Sequence, residues 1–306
     1  MLDFIVDSKD GNRILVCIPA FNEAKTISEI IMKSKKYANG VIVYDDGSTD
    51  DTSEIAKSVG ATVIRNPENK GYGVAIRSLF QAAKEQDADI MVTLDSDGQH
   101  DPDQIAQVIE PLKQGFDIVI GSRFLEGNGK QKMPRYRNFG IKTITKLTQA
   151  ASYPGITDSQ SGFRAYSKKA LSKINLFEDG MAVSTEILIR ASEKKLLTTE
   201  VPITIKYDIM GTSTHNPISH GIGVLYSVFQ FISLRHPLAF YGLPGIILLV
   251  ISAFFMKNAL DLFAETEYVS TNMILISVGI AVVGVVLLAT AAILYTLIAL
   301  LKDKIK

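Results

Sequence analysis

Two stretches, Leu238 to Met256 and Met273 to Leu301, are almost uninterrupted runs of apolar residues, whereas the chain before Arg235 carries an ordinary soluble mixture of charges. Each run is long enough to cross about 30 Å of hydrocarbon as a helix. Two buried core helices would be the alternative. Runs beyond ~18 residues favour spans, and spans explain a mean hydropathy of +0.18 better than an unusually large core does. At 306 residues the chain exceeds a usual single domain, so a globular part plus a second part is expected. The boundaries read as a globular domain over 1–212, a juxtamembrane segment over 213–236 and a two-helix anchor over 237–306. From Val224 to Leu234 apolar residues recur at helical spacing, interrupted by Ser227, Gln230 and Ser233. That pattern suits a helix lying at the bilayer interface or one packed on the globular domain.

Charge sets the expected orientation. The N-terminus MLDFIVDSKDGN is charged and has no apolar stretch of signal-peptide length, so the globular part is expected to stay on the side where it is made. Asp261, Glu265 and Glu267 outweigh Lys257 between the spans, while Arg235 precedes the first and Lys302, Lys304 and Lys306 follow the second. The positive-inside rule then places both flanks in the cytoplasm, at the plasma membrane of a prokaryote or the endoplasmic reticulum of a eukaryote. A formal net charge of zero argues against a general nucleic-acid binder, which needs excess Lys and Arg to displace counterions. The single cysteine, Cys17, rules out intrachain disulfides and Cys-based zinc sites and reads as a small core residue.

In the first half, strand-like runs (RILVCIP, VIVYD, ATVIR, DIMVTL, DIVIGS) alternate with helix-period segments beginning near Thr26, Asp50, Tyr72 and Pro102. That alternation implies an α/β fold with a mostly parallel sheet, whose ligands bind beyond the carboxyl ends of the strands. There the acidic clusters lie: PAFNE after the first strand, DDGSTDDT after the second and DSDGQHD after the fourth.

Each cluster also has a structural reading. Ser48 with Asp51 fits a helix-capping box, and Asn22 could cap the helix it opens with Glu23. Neither reading uses Asp45 or Asp46, which stand where a carboxylate could accept from a base or ribose. NKGYGVAI resembles part of a dinucleotide fingerprint, but Ile76 replaces the third glycine, so an NAD site is not expected; a helix start able to approach phosphate remains open. In LDSDGQHDPD, Asp95 and Asp97 at i and i+2, with Gly98 permitting the turn, can direct oxygens at one hard divalent cation such as Mg2+ or Mn2+. Alone, such a pair is also common in surface turns. An EF-hand fails because Gly98 falls at the fourth position and no Glu occupies the twelfth.

IPAFNEAKTI, YDDGSTDDT, NKGYGVAIR, LDSDGQHDPD, IGSRF and SGFRAY occur in an order that resembles family 2 glycosyltransferases of GT-A fold. Within these the chain is similar to the polyprenyl-phosphate branch, such as dolichol-phosphate mannose or glucose synthases. The resemblance spans Arg13 to Tyr207, and the apolar runs match a membrane-anchored subgroup. It implies a nucleotide-sugar pocket walled by Pro19, Ala20, Asn22, Glu23 and Asp46, with Asp95 facing the same donor. It further implies a divalent-cation site at Asp95, Asp97 and Gln99 that bridges the donor's diphosphate. Arg123 and Arg137 resemble arginines that receive the lipid phosphate, with Arg135 a competitor for the second role. Ser161 to Arg164 would help shape the acceptor side, with Asp158 just upstream.

The implied reaction is inverting transfer of one sugar from a nucleotide donor to a polyprenyl phosphate, dolichyl or undecaprenyl, on the cytoplasmic leaflet. UDP-glucose or UDP-N-acetylglucosamine is favoured over GDP-mannose, because SGFRAY and the anchored layout look closer to the glucose-type branch. The acceptor phosphate, with a second pKa near ~6, is largely dianionic and serves as its own nucleophile; Asp158 as general base is the alternative. A polysaccharide synthase would be expected to carry QxxRW, and this chain has no Trp. A catalytically inactive membrane scaffold is disfavoured by the intact DSD and arginines, and a homo-oligomer is compatible with the sequence. Glu186, near Ser184, could face the acceptor or be structural; His215 and His220 are left unassigned.

Overall fold

The computed structural model describes residues 11–125, 141, 142, 145, 148, 149, 153, 155–205, 233 and 237–304. The chain divides into two units, Met1–Val228 and Phe229–Lys306. The juxtamembrane expectation for 213–236 falls almost wholly outside the described residues.

The first unit is an α/β layer structure. Its strands are β1 (Ile14–Ala20), β2 (Gly40–Asp46), β3 (Thr62–Asn66), β4 (Ile90–Thr93), β5 (Ile118–Ser122), β6 (Arg164–Ser167) and β7 (Thr198–Pro202). Between them run α1 (Ile27–Ser34), α2 (Thr52–Ser58), α3 (Tyr72–Glu85), α4 (Ile105–Lys113), α5 (Lys168–Lys173) and α6 (Val183–Glu193). The strands form one sheet in the order β3-β2-β1-β4-β6-β5-β7. β6 is antiparallel to β4 and β5, and the other neighbouring pairs are parallel. The five runs expected to be strands correspond to β1 through β5; Pro19 and Ala20 belong to β1 itself rather than to the loop after it.

Because both faces of a parallel sheet are covered, its strands read as continuous apolar runs rather than alternating ones. The period-2 geometry still sorts them. Leu15 and Cys17 of β1 join Leu79 and Phe80 of α3 and Ile187 and Leu188 of α6 on one face. Val16 and Ile18 face the other way, onto Ile27 and Ile31 of α1 and Ile105 and Val108 of α4. Cys17 is fully buried, and desolvation pushes its thiol far above the ordinary range, so it is an inert core residue.

The topology positions the site. From β1 the chain winds one way to β2 and β3, then returns through α3 to β4 on the other side of β1. Strand order reverses there, which opens a crevice beyond the carboxyl ends of β1 and β4.

The second unit is a helical hairpin. After a π-helical turn at Leu238–Gly242, α7 runs Leu243–Thr266 and α8 runs Thr271–Lys304. The segments Leu238–Thr266 and Thr271–Ile298 are both long and apolar enough to cross a membrane, with mean hydropathies of 2.2 and 2.7. The expected acidic linker is shorter than its charges suggested. Asp261 and Glu265 continue α7, whose ALDLFAET tail contains good helix formers, and Lys257 lies 3.9 Å from Asp261 one turn on. Only 267–270 connect the helices, with Glu267 in the left-handed region at φ 55°.

The seam between α7 and α8 is built from small residues. Gly245, Ser252 and Ala259 are the buried residues of α7, and Ser277, Gly284 and Ala291 are buried on α8. A Cβ on Gly245 would stand 2.9 Å from the Gly284 carbonyl oxygen, so the backbones touch only because both residues are glycine. Each serine hydroxyl, Ser252 and Ser277, donates to the other's carbonyl at 2.8 Å.

Candidate active site

Four loop segments meet in the crevice: 21–26 after β1, 47–51 after β2, 67–71 ahead of α3 and 94–100 after β4. Asn22 is left-handed at φ 57°; its N–H donates to Ser48 Oγ at 2.9 Å and its Oδ1 accepts from Thr49 N at 2.8 Å. Glu23 N donates to Thr52 Oγ1 at 2.8 Å. These bonds join the first two loops and correct both capping expectations. α1 begins at Ile27, beyond Asn22, and α2 begins at Thr52 with no side-chain cap from Asp51. Ser48 is engaged by Asn22, and Asp50 instead accepts from Thr52 N at 3.1 Å. The third link runs to the DSD loop: Ser96 Oγ donates to the Pro19 carbonyl at 2.8 Å, and Thr26 Oγ1 donates to the Ser96 carbonyl at 2.6 Å. Ala20, beside Pro19, is buried at the same mouth.

Asp45 and Asp46 are already bonded to the protein. Asp45 is fully buried and accepts from Ser48 N at 2.9 Å and from Ser53 Oγ, so it cannot also face a nucleotide. Asp46 accepts from Lys70 N at 3.0 Å and Gly71 N at 2.7 Å, which pins the NKG loop across the end of β2. A substrate contact with Asp46 would compete with these bonds.

The phosphate reading of the α3 start fails. Gly73 N–H donates to the Asp179 carbonyl at 2.9 Å, and a Cβ on Gly71 would lie 2.7 Å from that same oxygen. The glycines therefore let the helix start pack against the 178–179 backbone, which occupies the place an anion would take.

Asp95 is met by side chains from two directions. Tyr72 donates its hydroxyl to Oδ1 at 3.1 Å, and His100 Nε2 lies 3.5 Å from Oδ2. Burial pushes the Asp95 carboxyl up, but His100, Tyr72 and the Arg123 charge outweigh it and hold the group below the usual range. Asp97 Oδ1 accepts from Gln99 N at 3.0 Å around the left-handed Gly98, so Asp97 and Gln99 share one turn. Glu23 responds to its acidic neighbours: burial first, then the charges of Asp97, Asp50 and Asp95, push its carboxyl up to about 7 against the Thr26 hydrogen bond.

A cluster of carboxylates of this kind fits a divalent cation. Among the described residues no three of His, Cys, Asp and Glu converge on a ready-made cage. A cation here would take one or two carboxylates, Asp95 and Asp97, and complete its oxygen shell from substrate phosphates and water, as Mg2+ commonly does. Gln99 lies in the same turn, its N–H bonded to Asp97.

Arg123 and Asp158 are brought together as a pair. Arg123 Nε donates to Asp158 Oδ2 at 2.6 Å and a terminal nitrogen donates to Oδ1 at 2.7 Å, a bidentate pair with the carboxylate fully buried. Burial raises the Asp158 carboxyl, but the Arg123 charge and hydrogen bonds outweigh it and hold it below the usual range. The pair occupies one edge of the Arg123 guanidinium and fixes its orientation. Glu200 on β7 supports the pair by accepting from Thr157 N at 2.8 Å and Asp158 N at 2.9 Å.

The SGFR segment is mostly structural. Arg164 is 1% exposed and donates to the carbonyls of Ser161, Ser184 and Ser159. Gly162 backs Asp95, for a Cβ there would lie 2.7 Å from the Asp95 Cγ. Glu186 accepts from the N–H groups of Phe177 and Glu178 at 3.0 Å each, which settles it as a loop clip. Arg135, Arg137, His215 and His220 lie outside the described residues. Sequence reasoning missed Tyr72, His100 and Gly162. All three stand inside the motifs NKGYG, DSDGQH and SGFR, but nothing local marks them as neighbours of one carboxylate.

Comparison with known proteins agrees with this geometry. Residues 15–174 match the model for glycosyl transferase family 2. A relative from Methanococcus voltae named UDP-N-acetylglucosamine–dolichyl-phosphate N-acetylglucosaminyltransferase is 33% identical, over 71% of this chain and 95% of its own. A relative from Pyrococcus furiosus named dolichol-phosphate mannosyltransferase is 32% identical, over 66% of this chain and 58% of its own. Among solved structures, glucosyl-3-phosphoglycerate synthase from Mycobacterium tuberculosis, in complex with Mn2+ and UDP-glucose, superposes with a TM-score of 0.58 at 23% identity. That match covers 74% of this chain and 79% of the other, a likeness of fold. With the family model covering more than half its length, the chain belongs to glycosyl transferase family 2 and is a glycosyltransferase with a GT-A-like domain.

Proposed function

We propose that the protein transfers a single sugar from a nucleotide-sugar donor to a polyprenyl phosphate at the cytoplasmic face of a membrane. The observation that carries this is the convergence of Glu23, Asp95 and Asp97 at the mouth of β1 and β4, in a chain that also carries an apolar helical hairpin. The names of the two relatives support the lipid-phosphate acceptor. They differ in sugar, one naming N-acetylglucosamine and one mannose. The donor favoured here is UDP-N-acetylglucosamine or UDP-glucose, with GDP-mannose the rival.

Asp95 and Asp97, with Gln99 beside them, would hold Mg2+ or Mn2+ against the donor diphosphate. A bound cation stabilises negative charge on the departing nucleotide. Asn22 and Glu23, fastened to the 48–52 turn, wall the nucleotide side together with Pro19 and Ala20, while Asp46 holds the NKG loop that closes it. The acceptor phosphate, largely dianionic above ~pH 6, attacks the anomeric carbon in line and inverts its configuration, with no proton to surrender to a protein base. Arg137, or Arg135 beside it, aligns that phosphate by charge-assisted hydrogen bonds. Arg123, fixed by Asp158, contributes a stationary positive charge near Asp95.

The test incubates the purified full chain with a panel of nucleotide sugars and with dolichyl or undecaprenyl phosphate, followed by mass spectrometry of the lipids. The expected product is the lipid phosphate heavier by one hexose or N-acetylhexosamine. Sugar incorporation into glycan with no lipid-linked product would overturn the reading in favour of a polysaccharide synthase.

A further inference from the structure

Asp95 is met on both oxygens by side chains from different parts of the fold. Tyr72, the first residue of α3, donates to Oδ1 at 3.1 Å. His100, just beyond the DSD turn, presents Nε2 3.5 Å from Oδ2. The imidazole is buried, and among the described residues its Nδ1 has no hydrogen-bond partner. Nε2 is therefore the ring nitrogen that faces the carboxylate. Phe163 fixes the ring plane with centroids 5.5 Å apart. Gly162 closes another side, where any Cβ would overlap the carboxylate. Even so, 30% of the Asp95 side chain remains exposed, leaving it open to a ligand.

We infer that Tyr72 and His100 are positioning residues of the cation site, holding the Asp95 carboxylate in one orientation so that a divalent cation meets a preformed ligand. The inference rests on the proposed reading of Asp95 and Asp97 as cation ligands. Neither positioning residue touches the cation; each fixes the oxygens that do. Without them the carboxylate must be ordered by the metal itself, and loss of such an outer partner typically weakens metal binding about 10–100-fold.

The experiment uses the full chain in detergent and Mn2+ as probe, with free Mn2+ read by electron paramagnetic resonance, with and without UDP. UDP affinity in EDTA is measured in parallel by calorimetry. Tyr72→Phe, which removes one oxygen, and His100→Phe are each expected to raise the Mn2+ dissociation constant about 10-fold or more while leaving metal-free UDP affinity unchanged. His100→Gln, which restores an N–H donor, should recover part of the loss. Unchanged Mn2+ affinity in both Phe variants overturns the inference. So does a parallel loss of metal-free UDP affinity, which marks general loosening of the site. Asp97→Asn separates the two layers. If wild type shows no saturable Mn2+ binding, or binding survives Asp97→Asn, the cation reading itself falls and the positioning roles fall with it. If Asp97→Asn abolishes binding but the Phe variants do not weaken it, only the positioning roles are lost.

Discussion

The α/β unit and the helical hairpin solve the same problem, satisfying polar groups away from water, by opposite means. In the first, apolar side chains point inward and polar groups buried with them need dedicated partners, as Asp158 has Arg123 and Arg164 has three carbonyls. In the second, large apolar side chains point outward, Val250 and Leu275 each 65% exposed, while Gly, Ser and Ala line the seam. In a bilayer, where lipid is as apolar as leucine, burying leucine between the helices would gain little; between these two helices lie close backbone contact and hydroxyl bonds. A polar deletion should therefore cost much in one region and little in the other.

The largest effect is expected at Asp158. Asp158→Asn leaves the Arg123 charge buried beside a neutral amide and should destabilise the α/β unit by about 3 kcal/mol or more, read by denaturant or thermal unfolding. The pH dependence has a definite sign. Asp158 is depressed in the folded state, so its contribution is present above about pH 4 and fades as pH falls through the folded value. The wild type should thus lose stability on acidification and Asp158→Asn should lose less. Equal acid sensitivity in both proteins would break the assignment.

Next comes Asp97→Asn, which should lower turnover on the order of 100-fold without changing the melting temperature in EDTA, while EDTA should silence the wild type. Full wild-type activity in EDTA would remove the cation from the reaction.

Glu23→Gln should give a smaller shift of opposite sense. Because the folded Glu23 carboxyl sits near 7, its ionisation above that value opposes folding of the metal-free protein. Glu23→Gln should raise the metal-free melting temperature at pH 8 and leave it nearly unchanged at pH 4. An increase of the same size at both values would trace the effect to packing rather than charge.

The smallest effect belongs to the hairpin. Ser252→Ala removes one of two reciprocal donors and should cost about 0.6 kcal/mol in detergent-titration unfolding, since a freed carbonyl in lipid is still bonded within its own helix. A loss as large as that of Asp158→Asn would erase the contrast between the two units.

Sequence alone determined what is local. A run of apolar residues longer than a core helix needs reads as a span wherever it packs, and the change of period between strands and helices exposed β1 through β5 and the acidic loops behind them. β6 and β7 escaped because RAYS and TTEVP, at four and five residues, are too short and mixed to show a period. Only the tertiary structure decided which carboxylates are available. Asp46 accepts from residues 24 and 25 positions away, and Asp158 is committed to Arg123, 35 positions back. Asp95, in the same turn as Asp97, owes its setting to Tyr72 and Gly162, brought together by α3 and β6. A carboxylate's type and spacing are written in the chain, but whether its lone pairs are free depends on donors that only the completed sheet delivers.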